Sequence, residues 1–260
     1  MASTKKGAVL TDAHRRRQVQ TAITADSQAR RLWDKTLDLN DLKTTQPIWK
    51  NTMIRLLQSW WKISSSQAAD YLPQFRAAEI GADSGFEVSM PRFDPKNPGL
   101  DLDFFGSTNV KWHQNMGLTQ QAAYDAARQL FLGAFHEAVL AGGRKTVETT
   151  ARKDPRALGW RRVSDGNPCA FCAMLVTRGP AYLSGETAGI GKKFHAHCGC
   201  TVEPVYNDWK PTEQEQQWID KYYNAAESLP DKTPRTAGGI LPIMRKQGGF
   251  RDSPESVVAA

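Results

Sequence analysis

All four cysteines of this 260-residue chain fall in one stretch, Gly159 to Tyr206, together with two of its five histidines. Cys169 and Cys172 form a C-x2-C pair just after the turn-prone run Asp165-Gly166-Asn167-Pro168, and His195, His197, Cys198 and Cys200 make a denser second cluster. Two donors one or two residues apart can face one ion from a single tight turn, and a pair from another turn completes a tetrahedron. Thiolate and imidazole suit zinc in a structural role, and with every candidate donor a Cys or His the hard cations compete poorly. Cys169 and Cys172 are the first choices as ligands. Cys198 and Cys200 follow, and His195 can replace either of them if the short C-x-C bite is strained. His197 is the weakest candidate, and the choice of four donors stays open. Two disulfides would also explain the even count, but Met1 to Gln18 is charged and has no apolar run of the secretory kind. Paired spacing argues against four unrelated thiols.

A catalytic reading has to be weighed beside the structural one. A nucleophilic cysteine needs an available thiolate, which metal ligation would occupy. The sequence carries no G-x-S-x-G elbow, H-E-x-x-H helix or Walker loop. A protease would have to assemble its site from residues such as Ser164, Ser184 and the histidines. A nuclease built on His195 and His197 would need a separate hydrolytic ion and a histidine base. The expectation leans away from an enzyme.

At these residues a family resemblance emerges. The run D-G-N-P-C-A-F-C, then F-H-A-H-C-G-C and the closing E-P-V-Y, resembles the phage Mu F-like minor head proteins, whose mark is C-x2-C followed by H-x-x-C-x-C. It is most similar to the branch found as minor capsid proteins in mycobacteriophages and other actinobacterial phages. On that likeness Cys169, Cys172, His195, Cys198 and Cys200 carry the signature, while His197 stands where many relatives have asparagine. The segment Leu118 to Trp160 is similar as well. The resemblance implies a minor capsid protein acting in head morphogenesis and procapsid assembly at the portal. Its partners would be the portal protein, scaffold or major capsid protein, and its place the capsid interior or portal vertex of the virion, after synthesis in the host cytoplasm. Some members of the branch are called capsid maturation proteases, so a protease remains the alternative, and a metal-dependent nuclease the less favoured one.

The elements that must position this cluster are mostly helical. The chain has the composition of a soluble globular protein, 40% hydrophobic and 23% charged, and no apolar run approaches the roughly 18 residues that span a bilayer. A formal charge of +7 suits an acidic partner, DNA included. Between Lys5 and Leu37 the apolar positions recur at helical spacing from Thr11 or Asp12 onward, with the Arg15 to Arg17 run beside them. A second helix, with Pro47 in its first turn, carries the stripe Trp49, Met53, Leu56, Leu57 and Trp60, widened by Trp61. Ser64 and Gln67 have capping-box spacing for a third helix to about Ile80, with Pro73 as a kink or early stop.

From Gly81 to Gly106, Gly and Pro break every periodic run, which predicts an extended linker with short strands or an arm that pairs with another subunit. Thr119 caps the clearest helix, whose Ala-rich face ends at Gly142-Gly143; His136 lies on it with no evident partner. Arg144 to Arg162 is the strongest local basic excess, and Arg152, Lys153, Arg156, Arg161 and Arg162 are candidates for a nucleic-acid or partner face, with a solvated surface as the alternative. Thr201 to Tyr206 reads as a strand returning beside Trp160 to Val163, which would bring the two half-sites together. Thr212 and Glu215 have capping-box spacing for a helix to about Ala226, and the Pro- and Gly-rich end beyond Pro230 reads as a poorly ordered tail.

The fold class that follows is mainly α with a small α+β C-terminal portion. The organisation is a helical module over 1–80, a linker or extended arm over 81–117, a Mu F-like domain with its metal knuckle over 118–228 and a flexible tail over 229–260.

Overall fold

The computed structural model describes residues 2–96, 100–180 and 194–253; Pro98, Gly99, Ser184 and the last residues of the tail lie outside them. Helix α1 (Lys5–Thr36) starts a turn and a half before Thr11, because the Thr4 side chain accepts the Gly7 N–H and supplies the cap. Its inner face is Ala22, Ala25, Ala29 and Trp33, three to four residues apart, so small side chains set a close approach and one tryptophan fills the end.

Helix α2 (Leu42–Ile80) is continuous where two helices were expected. Ser64 does not cap anything: its hydroxyl donates to Gln18 Oε1 at 2.6 Å and accepts the Gly143 N–H at 2.9 Å. Pro73 costs one backbone hydrogen bond, a penalty of about 3 kcal/mol in a free helix. Here Tyr71, Leu72, Phe75 and Arg76 are buried on both sides of it and hold the helix through the break. Asp41 caps α2 through the Thr44 N–H, so Pro47 falls beyond its first turn.

The stretch after Gly81 forms no strand among the described residues. It packs Phe86 and Val88 onto the α2 end and sets Phe93 edge-on to Trp61 at 5.7 Å. A π-helical turn, Phe104–Thr108, then leads into the short α3 (Asn109–Asn115).

Helix α4 (Gln120–Lys153) has its expected Thr119 cap but runs straight through Gly142 and Gly143. Those glycines make contacts instead of a stop. A Cβ on Gly142 would lie 2.3 Å from the Trp61 carbonyl oxygen, and one on Gly143 would meet the Gln18 side chain at 2.7 Å. Gly142→Ala must therefore push α2 and α4 apart. A loss of about 1–3 kcal/mol is expected in urea unfolding, with a smaller loss for Gly143→Ala, whose obstacle is the end of a flexible side chain.

The three long helices meet around Trp33, Trp49 and Phe131, whose rings sit at 5.2 Å from one another. A second cluster joins Tyr71, Phe75, Val147, Trp160, Val202 and Tyr206, and so seats the sheet on α2 and α4. Beside it His14 is buried and stacked on Tyr71, with ring centroids 4.4 Å apart. Burial, with the nearby Arg17 charge, pushes its pKa down to about 3. The unfolded chain takes up that proton near pH 6.5, so between pH 6.5 and 3 the unfolded state binds more protons and stability falls as pH falls. Relative to neutral pH the loss at pH 5 is about 2 kcal/mol. Urea midpoints at pH 5 and 7.5 should therefore converge in His14→Gln compared with the unsubstituted chain.

Strands β1 (Gly159–Val163) and β2 (Thr201–Val205) pair antiparallel, with Gly159 opposite Val205, Arg161 opposite Glu203 and Val163 opposite Thr201. This is the pairing the sequence predicts. Between them lies α5 (Ala170–Val176), and after them α6 (Glu213–Glu227), whose Thr212–Glu215 capping box forms in full. The segment read as a tail contains α7 (Ala237–Lys246), with Ile240, Met244 and Phe250 buried against α5 and α6. The Pro and Gly residues around it hide a short apolar face. The described residues thus form a mainly helical protein with one small two-stranded sheet toward its C-terminal end.

Candidate metal centre

The sheet and α5 bring both cysteine half-sites to one place. Cys169 is the N-cap of α5, its Sγ accepting the Cys172 N–H, so the C-x2-C pair sits on the first turn of that helix with both sulfurs on one side. Cys198 and Cys200 lead into β2. Cys169 Sγ and Cys172 Sγ lie 3.0 and 3.2 Å from His195 Nε2, and Cys172 Sγ lies 3.5 Å from Cys198 Sγ. Two triads of donors result, Cys169-Cys172-His195 and Cys172-Cys198-Cys200, each within 4.8 Å, and Cys172 belongs to both. All four cysteines are buried and unbridged. Five donors from both half-sites thus lie in two adjoining triads that share Cys172.

The electrostatics divide the four sulfurs: hydrogen bonding with Cys169, Cys198 and Cys200, together with burial, pushes the Cys172 thiol up, and hydrogen bonding with Cys198 and burial push Cys200 up, while the other two go down. Hydrogen bonding with Cys172, and with His195, holds the Cys169 thiol down to about 4. Hydrogen bonds from Cys172 and Cys200, then the charges of Arg144 and Arg162, hold Cys198 far below an ordinary thiol. Hydrogen bonding to Cys169 pushes His195 up to about 9. Two of these crowded, buried sulfurs, Cys169 and Cys198, are held toward thiolate, and the softness of the whole donor set fits zinc-like ions over calcium or magnesium. The residues present therefore fit a metal.

Two buried arginines frame this centre, and the spacing of the cysteines gives no hint of them. The Phe194 ring lies between the guanidinium groups of Arg144 and Arg162, each 3.7 Å from its centroid. Arg144 donates to the carbonyls of Cys198 (2.6 Å) and Cys200 (2.7 Å), fixing the C-x-C turn from α4. Arg162 reaches Cys172 Sγ at 3.6 Å and Cys198 Sγ at 4.0 Å from β1. Their positive charge offsets thiolate charge inside the protein, and the aromatic face between them replaces lost water.

The basic candidates divide accordingly. Arg152, Lys153 and Arg156 are exposed at the end of α4 and the loop after it. Arg161 and Arg162 do not join them, because both alternate inward on β1 and are almost wholly buried. Arg161 is held by Glu203 at 2.8 Å and Glu215 at 2.7 Å. A strand with one charged residue facing each side, both covered, is not legible from a charge count.

His136 has partners after all. Its Nδ1 is 2.8 Å from Asp26 Oδ2 on α1, and the His197 ring lies beside it with centroids 6.0 Å apart. His195 and His197 thus face different neighbours, the first the cysteines and the second α4.

No helix among the described residues is long and apolar enough to cross a membrane. No solved structure matches this chain. Among curated proteins, the "Gene 15 protein" of Mycobacterium phage D29 is 28% identical, the match covering 59% of this chain and 71% of that protein. The "Gene 15 protein" of Mycobacterium phage L5 is 26% identical, with 64% and 72% covered. The model of the VG15 protein family matches residues 6–225, from the first turn of α1 to near the end of α6, so that helical core and cysteine centre fall inside one match. On that span the chain belongs to the VG15 protein family, a phage-related family.

Proposed function

We propose that this chain is a minor structural protein of a phage head, of the Mu F-like kind that its cysteine motif resembles, acting in procapsid assembly at the portal with zinc in its cysteine centre. The observation that carries the reading is the joining of both half-sites in one buried donor cluster, within a chain whose matched relatives are phage proteins. The cluster joins the first turn of α5 to the turn before β2, so zinc would act as a structural staple and contribute folding free energy directly. The three-helix part would engage portal or scaffold. The exposed Arg152, Lys153 and Arg156 would face DNA or an acidic partner surface.

Quantitative mass spectrometry of purified immature and mature particles tests the assembly role. The expected result is an intact protein at low copy number in both, with head-protein partners uncut by it. Loss on maturation together with new partner termini, abolished by a Cys or Ser substitution in this chain, would make it a protease instead. Elemental analysis of the purified protein should find one zinc that survives dialysis. Iron, or no metal, would overturn the zinc assignment.

A further inference from the structure

A second set of histidine and carboxylate side chains lies at the α1–α4 junction, apart from the sulfurs. His136 is buried, and its Nδ1 is engaged by Asp26 Oδ2 at 2.8 Å. A carboxylate that accepts a hydrogen bond from Nδ1–H keeps the proton of a neutral imidazole on that nitrogen and leaves Nε2 with its lone pair, the tautomer that metal-binding histidines adopt when a carboxylate stands behind them. His136 Nε2 and Asp26 Oδ1 are both shielded from solvent and have no hydrogen-bond partner among the described residues. Buried polar atoms without partners call for an explanation.

His197 supplies a second, independent observation. It is one of two non-glycine residues with positive φ among the described residues, at 58°, and its N–H donates to the Gly133 carbonyl at 3.2 Å. Its ring lies on α4 where Gly133 leaves room: a Cβ there would come within 2.7 Å of His197 Nε2 and 2.8 Å of Ala196 Cβ. The backbone turn and the missing side chain together press an imidazole against the helix one turn from His136. The ring centroids are 6.0 Å apart. Two imidazoles on one ion with bonds of about 2.0–2.1 Å place their centroids roughly 5–6 Å apart, so a small rotation of the more exposed His197 ring closes the pair.

We propose that His136 and His197 form a second cation site, distinct from the cysteine centre, that takes a divalent transition metal of the zinc, nickel and copper class, with Asp26 fixing His136 in its ligating tautomer. Imidazole donors select that class over magnesium and calcium. Only two protein ligands are supplied, so water fills the remaining positions and the ion is held more weakly than one at the cysteines. His136 and His197 are ligands; Asp26 and Gly133 position them.

Titration of the full chain with Co2+ after chelation and reduction separates the two sites. Ions at the cysteines give near-ultraviolet thiolate-to-cobalt charge transfer, and ions at the histidines do not. Two equivalents are expected, the first with that absorption and the second, weaker one without it, confirmed by equilibrium dialysis against Zn2+ with elemental analysis. His197→Gly keeps the left-handed turn and should abolish the second equivalent while sparing the first. Asp26→Asn should weaken the second by about 10- to 100-fold with far-ultraviolet circular dichroism unchanged. Saturation at one equivalent with charge transfer, or a second equivalent that persists in His197→Gly, overturns the proposal. A missing charge-transfer band would count against the cysteine centre alone.

Discussion

Cys172→Ser is expected to abolish tight metal binding and unfold the region from Cys169 to Cys200, a larger effect than any other single donor substitution. Cys172 alone belongs to both donor triads, and five donors for four positions leave an alternative for Cys200 or His195 but none for it. Structural zinc in small knuckle peptides is worth about 10–16 kcal/mol, comparable to the whole stability of a domain at about 5–15 kcal/mol. Cys198 would then rely on the charges of Arg144 and Arg162 to offset its own. Zinc content and limited proteolysis measure the outcome. New cleavage is expected between β1 and β2 while α1 and α2 survive, and chelation of the unsubstituted protein should give the same pattern. Unaltered protection after complete metal removal would show that the metal is not a staple.

Arg161→Met is expected to destabilise the protein by about 3–5 kcal/mol, although Met fills similar space. Arg161 neutralises two carboxylates from different elements, Glu203 on β2 and Glu215 on α6, and all three are buried. Glu203 Oε2 also accepts from the Thr11 hydroxyl at 2.6 Å, and Thr11 is 2.8 Å from the Tyr71 hydroxyl. Removing the cation takes away the guanidinium that both buried carboxylates share, and breaking a buried pair is far more costly than replacing it whole. Adding Glu203→Gln and Glu215→Gln to Arg161→Met should recover much of the loss. Urea unfolding of the single and triple variants decides. A single variant within about 0.5 kcal/mol of the unsubstituted protein would mean that water reaches the carboxylates.

Local signals in the sequence carried the cysteine and histidine cluster and the sheet. The C-x2-C pair, the H-x-x-C-x-C run and the alternation on either side are short-range patterns, and short-range geometry is what they describe. The Thr119 cap and the Thr212–Glu215 box were legible for the same reason. What escaped was long-range. Ser64 has the spacing of a cap, yet its hydroxyl is spent on Gln18 and the Gly143 amide. Gly142 looks like a helix stop, yet it is where the Trp61 backbone passes. Arg161 and Arg162 count as surface charge until their strand is seen to be covered on both faces. In each case the deciding partner is dozens of residues away, and nothing local reports it. Arg144 and Phe194 escaped in the same way, although an arginine within an Ala-rich helix face and an aromatic beside a metal motif are signals that could have drawn attention to them.

The bond between Thr11 and Glu203 joins residues 192 positions apart, and this bears on the order in which the chain can fold as it leaves the ribosome. The α1–α2–α4 core is complete once α4 has emerged, and N-terminal parts of a chain fold first during synthesis. At that stage the faces of Tyr71 and Phe75 that later receive the sheet are still open, and Thr11 has only Tyr71 for a partner. The nascent protein thus waits with an uncovered aromatic patch until β2 arrives, and the cysteine cluster, completed by the last-made half-site, closes after the helices it is docked upon.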